Sequence, residues 1–270
     1  QATVKGMSDG TRLAQRRTTP RTGLKAGAVV AGVLAVVLGI GFVTDAAGTA
    51  SIEKRLAANA RATDDLAADP ETYVGGLPFA QVRFTDEVPR VSFQALDVQV
   101  DGIGIANSRT DIYEITIPAD KAYAADFIGA RAKRVENTLS LDGVAFGQLL
   151  GMTDLDIANP YNISPTGASE AEAQLTGTVP GTEEKTTAVV TLRLTGTTFR
   201  MEPKELIDVP DALTDTVTSA YTLELDTRDL PIGAQADKVD VSGGSIRFSA
   251  QRRDVELTQD MLSPVAATAR

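Results

Sequence analysis

Side chains that could carry acid–base chemistry occur in this sequence as close pairs of carboxylates. The pairs are Asp64 with Asp65, Asp86 with Glu87, Glu183 with Glu184, and Asp154 with Asp156. Glycoside hydrolysis needs two carboxyl groups held across a cleft, and adjacency in the sequence does not establish that geometry. Neighbouring charges of this kind are typical of solvated loops. We therefore favour a surface role over catalysis for each pair.

Cysteine and histidine are both missing from the sequence. Without them there is no Ser-His-Asp triad, no thiol nucleophile, no disulfide and no zinc site of the usual kind. Asp154, Asp156 and Asn159 loosely resemble a calcium loop, but the glycine and the closing glutamate of the EF-hand spacing are missing. We expect no metal, no cofactor and no enzymatic activity, an enzyme being the least favoured of three functional classes.

An uncharged apolar run, Ala26–Thr44, is the element that would position everything after it. As a helix it would be about 28 Å long, close to the hydrocarbon thickness of a bilayer, about 30 Å. Six basic residues and one acidic residue precede it. Because basic flanks stay in the cytoplasm, we predict a cytoplasmic basic tail and a transmembrane helix, followed by an extracytoplasmic domain and a short tail. Their bounds are 1–25, 26–44, 45–262 and 263–270.

Small residues within and after this run bear on its role. Gly48–Ala50 would also suit a signal peptidase, so a cleaved signal peptide is the alternative to an uncleaved anchor. Gly27, Ala31, Ala35 and Gly39 recur every four residues and would form one helix face that another transmembrane helix could approach closely. The other interpretation is that glycine and alanine are simply common in membrane segments.

The part of the chain after the anchor is acidic and has the pattern of short strands. Subtracting the six basic and one acidic residues of the tail from totals of 26 and 36 leaves 20 and 35, a net charge of −15. That charge disfavours nucleic acid as a partner. Alternating apolar residues predict about ten strands, and a one-residue phase change within Arg90–Val100 predicts a bulge.

Local patterns also predict short helices and turns. Ser51 suits the cap of a helix after the apolar run, Asp142 suits the cap of a helix closed by Gly151, and a further helix is expected over Ala119–Ile128. Gly243-Gly244 predicts a hairpin. We expect an α+β fold in which an elongated, curved antiparallel sheet and a few short helices enclose an apolar groove. An ordinary packed core would produce the same alternation.

Several short motifs rich in glycine and proline lie in a fixed order along the chain. They are Gly75-Gly76-Leu77-Pro78-Phe79, Leu139–Leu150, Leu230-Pro231-Ile232-Gly233, Gly243-Gly244 and Arg253-Asp254-Val255. Over Ser51–Leu257 their order and spacing resemble the LmeA-like phospholipid-binding family of actinobacterial envelopes, with a mild departure at Leu77, where the family more often has Phe. The resemblance implies a periplasmic lipid-binding domain that serves phospholipid handling and the upkeep of envelope lipoglycans. It assigns no catalytic residues.

The apolar pattern itself suggests which side chains would line the groove. The candidates are Phe79, Phe93, Phe127, Phe146, Leu149, Leu150, Tyr221, Leu223 and Leu230. Each could equally be plain core. We predict a non-catalytic phospholipid-binding protein of the cell envelope, single-pass in the inner membrane with its amino terminus in the cytoplasm. The alternative is an accessory or assembly subunit of a larger inner-membrane complex, either a respiratory complex or an envelope-lipid transporter, that packs against other transmembrane subunits.

Overall fold

The computed structural model describes residues 45–64, 66–76, 78–160 and 168–268. All of them belong to one of two compact units of the chain, Asp45–Arg270. The predicted cytoplasmic tail, the predicted transmembrane helix and its stripe of small residues lie outside the described residues. Among the residues that are described, no helix combines the length and the apolar character needed to cross a bilayer.

Residues 45–64 form helix α1, which packs one apolar face onto the domain. Ile52, Leu56 and Ala60 are buried on that face at four-residue spacing. The predicted start at Ser51 was wrong, because α1 already includes Asp45. Alanine is the strongest helix former, and a single glycine costs only about 1 kcal/mol, so the small residues around Gly48 continue the helix.

The other helices are short. They are α2 (Val82–Thr85), α3 (Ala119–Ala124), α4 (Gly143–Leu150) and α5 (Thr214–Ala220), with 3₁₀ turns at Phe79–Gln81, Asp211–Leu213, Thr227–Asp229 and Gln259–Met261. Helix α4 follows its predicted signals: Asp142 Oδ1 accepts from the Ala145 N–H at 2.8 Å, and Gly151 caps the end at a φ of 71°. Helix α3 ends before the predicted Ile128, because Ala125 is left-handed and the next residues turn Phe127 into the core.

Eleven strands, counted over the described residues, form two antiparallel sheets. Sheet A has the order β1 (Glu71–Val74), β2 (Glu87–Val100), β3 (Gly104–Thr116), β4 (Arg131–Asp142), β11 (Ser245–Glu256) and β10 (Lys238–Ser242). Sheet B has the order β5 (Asp156–Ala158), β6 (Glu170–Thr178), β7 (Lys185–Thr195), β8 (Thr198–Ile207) and β9 (Leu223–Asp226). The predicted α+β class is confirmed.

The prediction of one curved sheet needs correction to two. After β4 the chain enters α4, and the free edge of β4 pairs with β11 rather than with β5. Two local features are confirmed. The register of β2 against β3 shifts between Ala95 and Val98, which is the predicted bulge. Gly243 and Gly244 connect β10 to β11 with φ values of 60° and 74°, which glycine adopts without strain.

Two apolar clusters make up the interior. The helix core joins α1 to one end of sheet A, and its members include Phe79, Phe93, Phe127, Ile112 and Ile115. The inter-sheet core joins the other end of sheet A to sheet B and α4, and includes Leu139, Leu141, Phe146, Phe199 and Phe248. Both clusters lie on the same face of sheet A, so this sheet is the common wall of the domain.

Candidate functional site

A cleft of about 600 Å³ lies between the segment that follows α1 and the bulged end of β2; we call it the edge cleft. Strand β1 pairs with β2 only as far as Gln94, so the β2 edge beyond it has no strand partner among the described residues. The bulge at Asp97 and the segment 66–70 shape the space that results. Its volume falls within the range of about 300–1,000 Å³ usual for small-molecule sites.

The lining of the edge cleft is mainly apolar, with four carboxylates and two glutamines among its thirteen residues. Its apolar lining consists of Leu66, Ala67, Ala68, Pro70, Ala95, Leu96 and Val98. Val98 also packs against the inter-sheet core, which places the cleft next to that core. The carboxylates in the lining are Asp64, Asp69, Glu71 and Asp97, and Asp69 pairs with Arg61 at 3.4 Å. The arrangement suits an apolar chain and disfavours an anionic group beside it.

Residues at the start of the predicted carboxy-terminal tail contact the domain. The Asp64 carboxylate accepts hydrogen bonds from the Ser263 hydroxyl and, at 3.1 Å, from the Val265 N–H. The Pro264 carbonyl accepts from the Ser108 hydroxyl at 2.6 Å. Burial raises the pKa of Asp64, although these two hydrogen bonds act in the opposite direction. Ser263 and Val265 are therefore held against Asp64, one of the residues that line the edge cleft.

A row of polar side chains crosses sheet A between the two apolar cores. Asn137 donates to Thr110 Oγ1 at 2.6 Å and accepts from Arg252 Nη2 at 3.0 Å. Arg252 Nε is buried without a hydrogen-bond partner, and burial lowers the pKa of this guanidinium. An unused donor on a half-buried cation is an exception to the usual pairing of buried polar groups.

Sequence reasoning missed both the edge cleft and the inward position of Arg252. The inward position of Arg252 could have been predicted from the alternation along β11. Ile246, Phe248 and Ala250 face the core, and Arg252 is the next residue in this every-second-residue series. The edge cleft had no comparable signal. Its two walls come from separate elements. The sequence of each wall, taken alone, predicts only an ordinary strand end or loop.

The nine predicted groove residues fall into separate groups. Those in the helix core are Phe79, Phe93 and Phe127. Those buried in the inter-sheet core are Phe146, Tyr221 and Leu230, and those half-buried at its margin are Leu149, Leu150 and Leu223. None of the nine lines the edge cleft. Their contact with lipid stays a prediction.

The carboxylates near the suggested calcium loop have a structural role. Asp154 accepts from the Thr178 N–H at 2.8 Å and from its hydroxyl at 2.9 Å, and it pairs with Lys185 at 3.3 Å. The bonds from Thr178 hold the pKa of Asp154 below its usual value. Within the described ranges, no three carboxylates cluster in a way that could hold a metal ion.

A family model described as LmeA-like phospholipid-binding matches residues 43–251. The chain belongs to this family. No curated protein and no solved structure matches it. The match spans sheet B, nearly all of sheet A and both walls of the edge cleft. The resemblance that the motifs suggested is thus confirmed, and the LmeA-like domain is the part of the molecule that carries the cleft.

The outer face of sheet A in this LmeA-like protein carries a second, polar cleft of about 500 Å³. Asp111 lies in it between two arginines, with Oδ1 2.7 Å from Arg90 Nη2 and Oδ2 2.8 Å from Arg109 Nε. Arg134 and Arg90 lie over the Tyr113 ring, 4.0 and 5.3 Å from its centroid. Burial alone would raise the pKa of Asp111, but hydrogen bonds from Arg109, Arg90 and Ser92 outweigh it and hold that pKa below its usual value.

We expect Asp111→Asn to lower the free energy of unfolding at neutral pH by about 2 kcal/mol, because it removes a buried anion from between two cations. A carboxyl with a depressed folded-state pKa stabilises the fold above its unfolded pKa of about 3.9 and loses that contribution as pH falls through the folded value. Urea unfolding of parent and variant at pH 7 and at about pH 2 should show the difference shrinking in acid. Glu114→Gln, which breaks an exposed pair with Lys133, is the control and should change little. A difference that stays constant down to acid pH would contradict the linkage.

Proposed function

We propose that this LmeA-like protein binds phospholipid without catalysis, anchored in the inner membrane by residues 26–44 with its domain on the extracytoplasmic side. Membership of the phospholipid-binding family supports the ligand. The apolar run and its basic flank support the anchor and its direction. The observation that carries the proposal is the edge cleft, whose lining is mainly apolar and whose volume is about 600 Å³.

The edge cleft supplies binding energy through its apolar walls. Each methylene that leaves water contributes about 0.8 kcal/mol, so part of an acyl chain is enough for binding without an ion pair to the head group. The carboxylates Asp64, Glu71 and Asp97 in the lining repel an anionic head group. We therefore expect zwitterionic phospholipids to be bound in preference to anionic ones.

The ligand is tested by mass spectrometry of lipids extracted from the full chain after purification in mild detergent. Leu96→Asp puts a charge into the edge cleft at a side chain that is 61% exposed, so the fold should tolerate it. We expect roughly tenfold weaker binding of phosphatidylethanolamine, since one large apolar contact is lost.

The matched control is Ile105→Asp on the neighbouring strand, which is 52% exposed and does not line the cleft. It should retain lipid at the parental level. Equal loss in both variants, or in neither, would exclude the edge cleft as the site. A parent that carries no phospholipid and takes up none from vesicles would overturn the proposed function itself.

Anchoring and orientation are tested apart from lipid binding. Retention in the membrane after alkaline washing supports an uncleaved anchor, and removal of the domain by protease added outside spheroplasts supports its extracytoplasmic position. Release by the wash would favour the cleaved signal peptide. The alternative role as a subunit depends on the face formed by Gly27, Ala31, Ala35 and Gly39, which lies outside the described residues, and it stays a prediction.

A further inference from the structure

Phe84 has the most exposed large apolar side chain in the described part of the chain, at 90%. It lies in α2, next to the exposed Arg83. Single exposed apolar residues are normal on protein surfaces and need no explanation by themselves. Phe84 differs from such residues because its helix, α2, is fixed beside the first described residue of α1.

The turn that leads into α2 is fastened to the first described residue of α1. The two carboxylate oxygens of Asp45 accept the backbone N–H groups of Phe79 and Ala80 at 2.6 and 2.7 Å. The buried Phe79 ring packs edge-on against Tyr123 at 5.3 Å, and the Arg83 guanidinium lies 5.0 Å from the same Tyr123 ring. These contacts hold α2 beside residue 45 while the Phe84 side chain remains in solvent.

The residues that precede Asp45 are known from the sequence. The apolar run Ala26–Thr44 ends one residue before Asp45. If that run spans the bilayer, as in the proposed function on which this inference rests, residue 45 lies at the membrane surface. The hydrogen bonds from Phe79 and Ala80 to Asp45 hold the start of α2, and with it Phe84, close to that residue.

We propose that α2 is a second membrane contact, in which the Phe84 ring enters the lipid interface and Arg83 lies among the head-group phosphates. Aromatic rings are favoured at that depth, and a basic residue beside anionic lipid adds to the attraction.

The full chain has no tryptophan, so a single introduced one reports its own surroundings. We would reconstitute Phe84→Trp into phosphatidylcholine vesicles that contain lipid brominated either near the head group or near the chain end. The expected result is emission shifted to shorter wavelength and mostly lost with the shallow bromine label. Val144→Trp is the matched control: it replaces a side chain on α4 that is 61% exposed, and it should keep the emission of a solvated indole.

The outcomes separate this inference from the proposed function. Quenching of Phe84→Trp alone supports the second contact. Quenching at neither position overturns it, and equal quenching at both also overturns it, because the domain would then adsorb without using α2. Whether the chain floats with the vesicles after alkaline treatment reports on the anchor separately, so loss of the anchor and loss of the Phe84 contact give different results.

Discussion

Replacing Gly143 with alanine should lower the free energy of unfolding by about 3 kcal/mol or more, since the new methyl group meets backbone that cannot rotate away. A Cβ at this position would lie 2.1 Å from the Leu155 carbonyl oxygen and 3.1 Å from its carbonyl carbon. Gly143 is the first residue of α4, and Leu155 immediately precedes β5. The substitution therefore has to push α4 away from the start of sheet B. Chemical unfolding followed by far-ultraviolet circular dichroism measures the loss.

The chain offers a glycine in open space as the control. Gly48 lies in α1 with no atom within 4 Å of the position that a Cβ would take. Gly48→Ala should leave stability unchanged or raise it by up to about 1 kcal/mol, because alanine is the better helix former. A Gly143→Ala variant as stable as Gly48→Ala would show that α4 can move away from Leu155 at no cost.

Phe248→Ala should cost about 3–5 kcal/mol, the range for removing a buried aromatic ring. Phe248 lies on β11 of sheet A and is fully buried. Its ring meets that of Phe199 on β8 of sheet B edge-on, with centroids 4.9 Å apart and an interplanar angle of 86°. The substitution leaves a cavity where the two sheets meet, and the loss should appear as a lower midpoint in urea.

A double-mutant cycle with Phe199→Ala tests whether this ring pair couples the sheets. We expect a coupling energy of about 0.5–1.5 kcal/mol beyond the separate losses. Val144→Ala, at an exposed position on α4, should change stability by less than about 0.5 kcal/mol. Strict additivity of the two phenylalanine substitutions would mean that the sheets are held together by the rest of the inter-sheet core.

Several features could be predicted because each depends on residues close in sequence. The Asp142 cap needs only an N–H three residues away, and the hairpin at Gly243-Gly244 needs only two residues able to adopt positive φ. The one-residue change of phase in the apolar pattern of β2 is enough to predict its bulge. The error at Ile128 has a non-local cause, because α3 ends where the chain turns at Ala125 and buries Phe127 in the core.

The candidate site depends on contacts between residues that are far apart in the chain. The edge cleft joins residues 66–70 to residues 94–99, and the Asp64 carboxylate reaches Ser263, 199 residues away. The pairing of β4 with β11 brings Thr138 to Ser249, 111 residues away, and leaves β5 to β9 to form a separate sheet. Alternation cannot report such pairings, because a strand shows the same period of two whichever strand it meets.

The order of residues alone was enough to establish the α+β class, the family and the local caps and turns, since these follow from backbone preferences and from the spacing of apolar side chains. Two sheets in place of one, the division of the interior by Asn137 and Arg252, and the open edge of β2 emerged only with the folded chain. Those features depend on which surfaces pack against each other. The packing free energy comes from many residues that are far apart in the sequence, so no short segment predicts it.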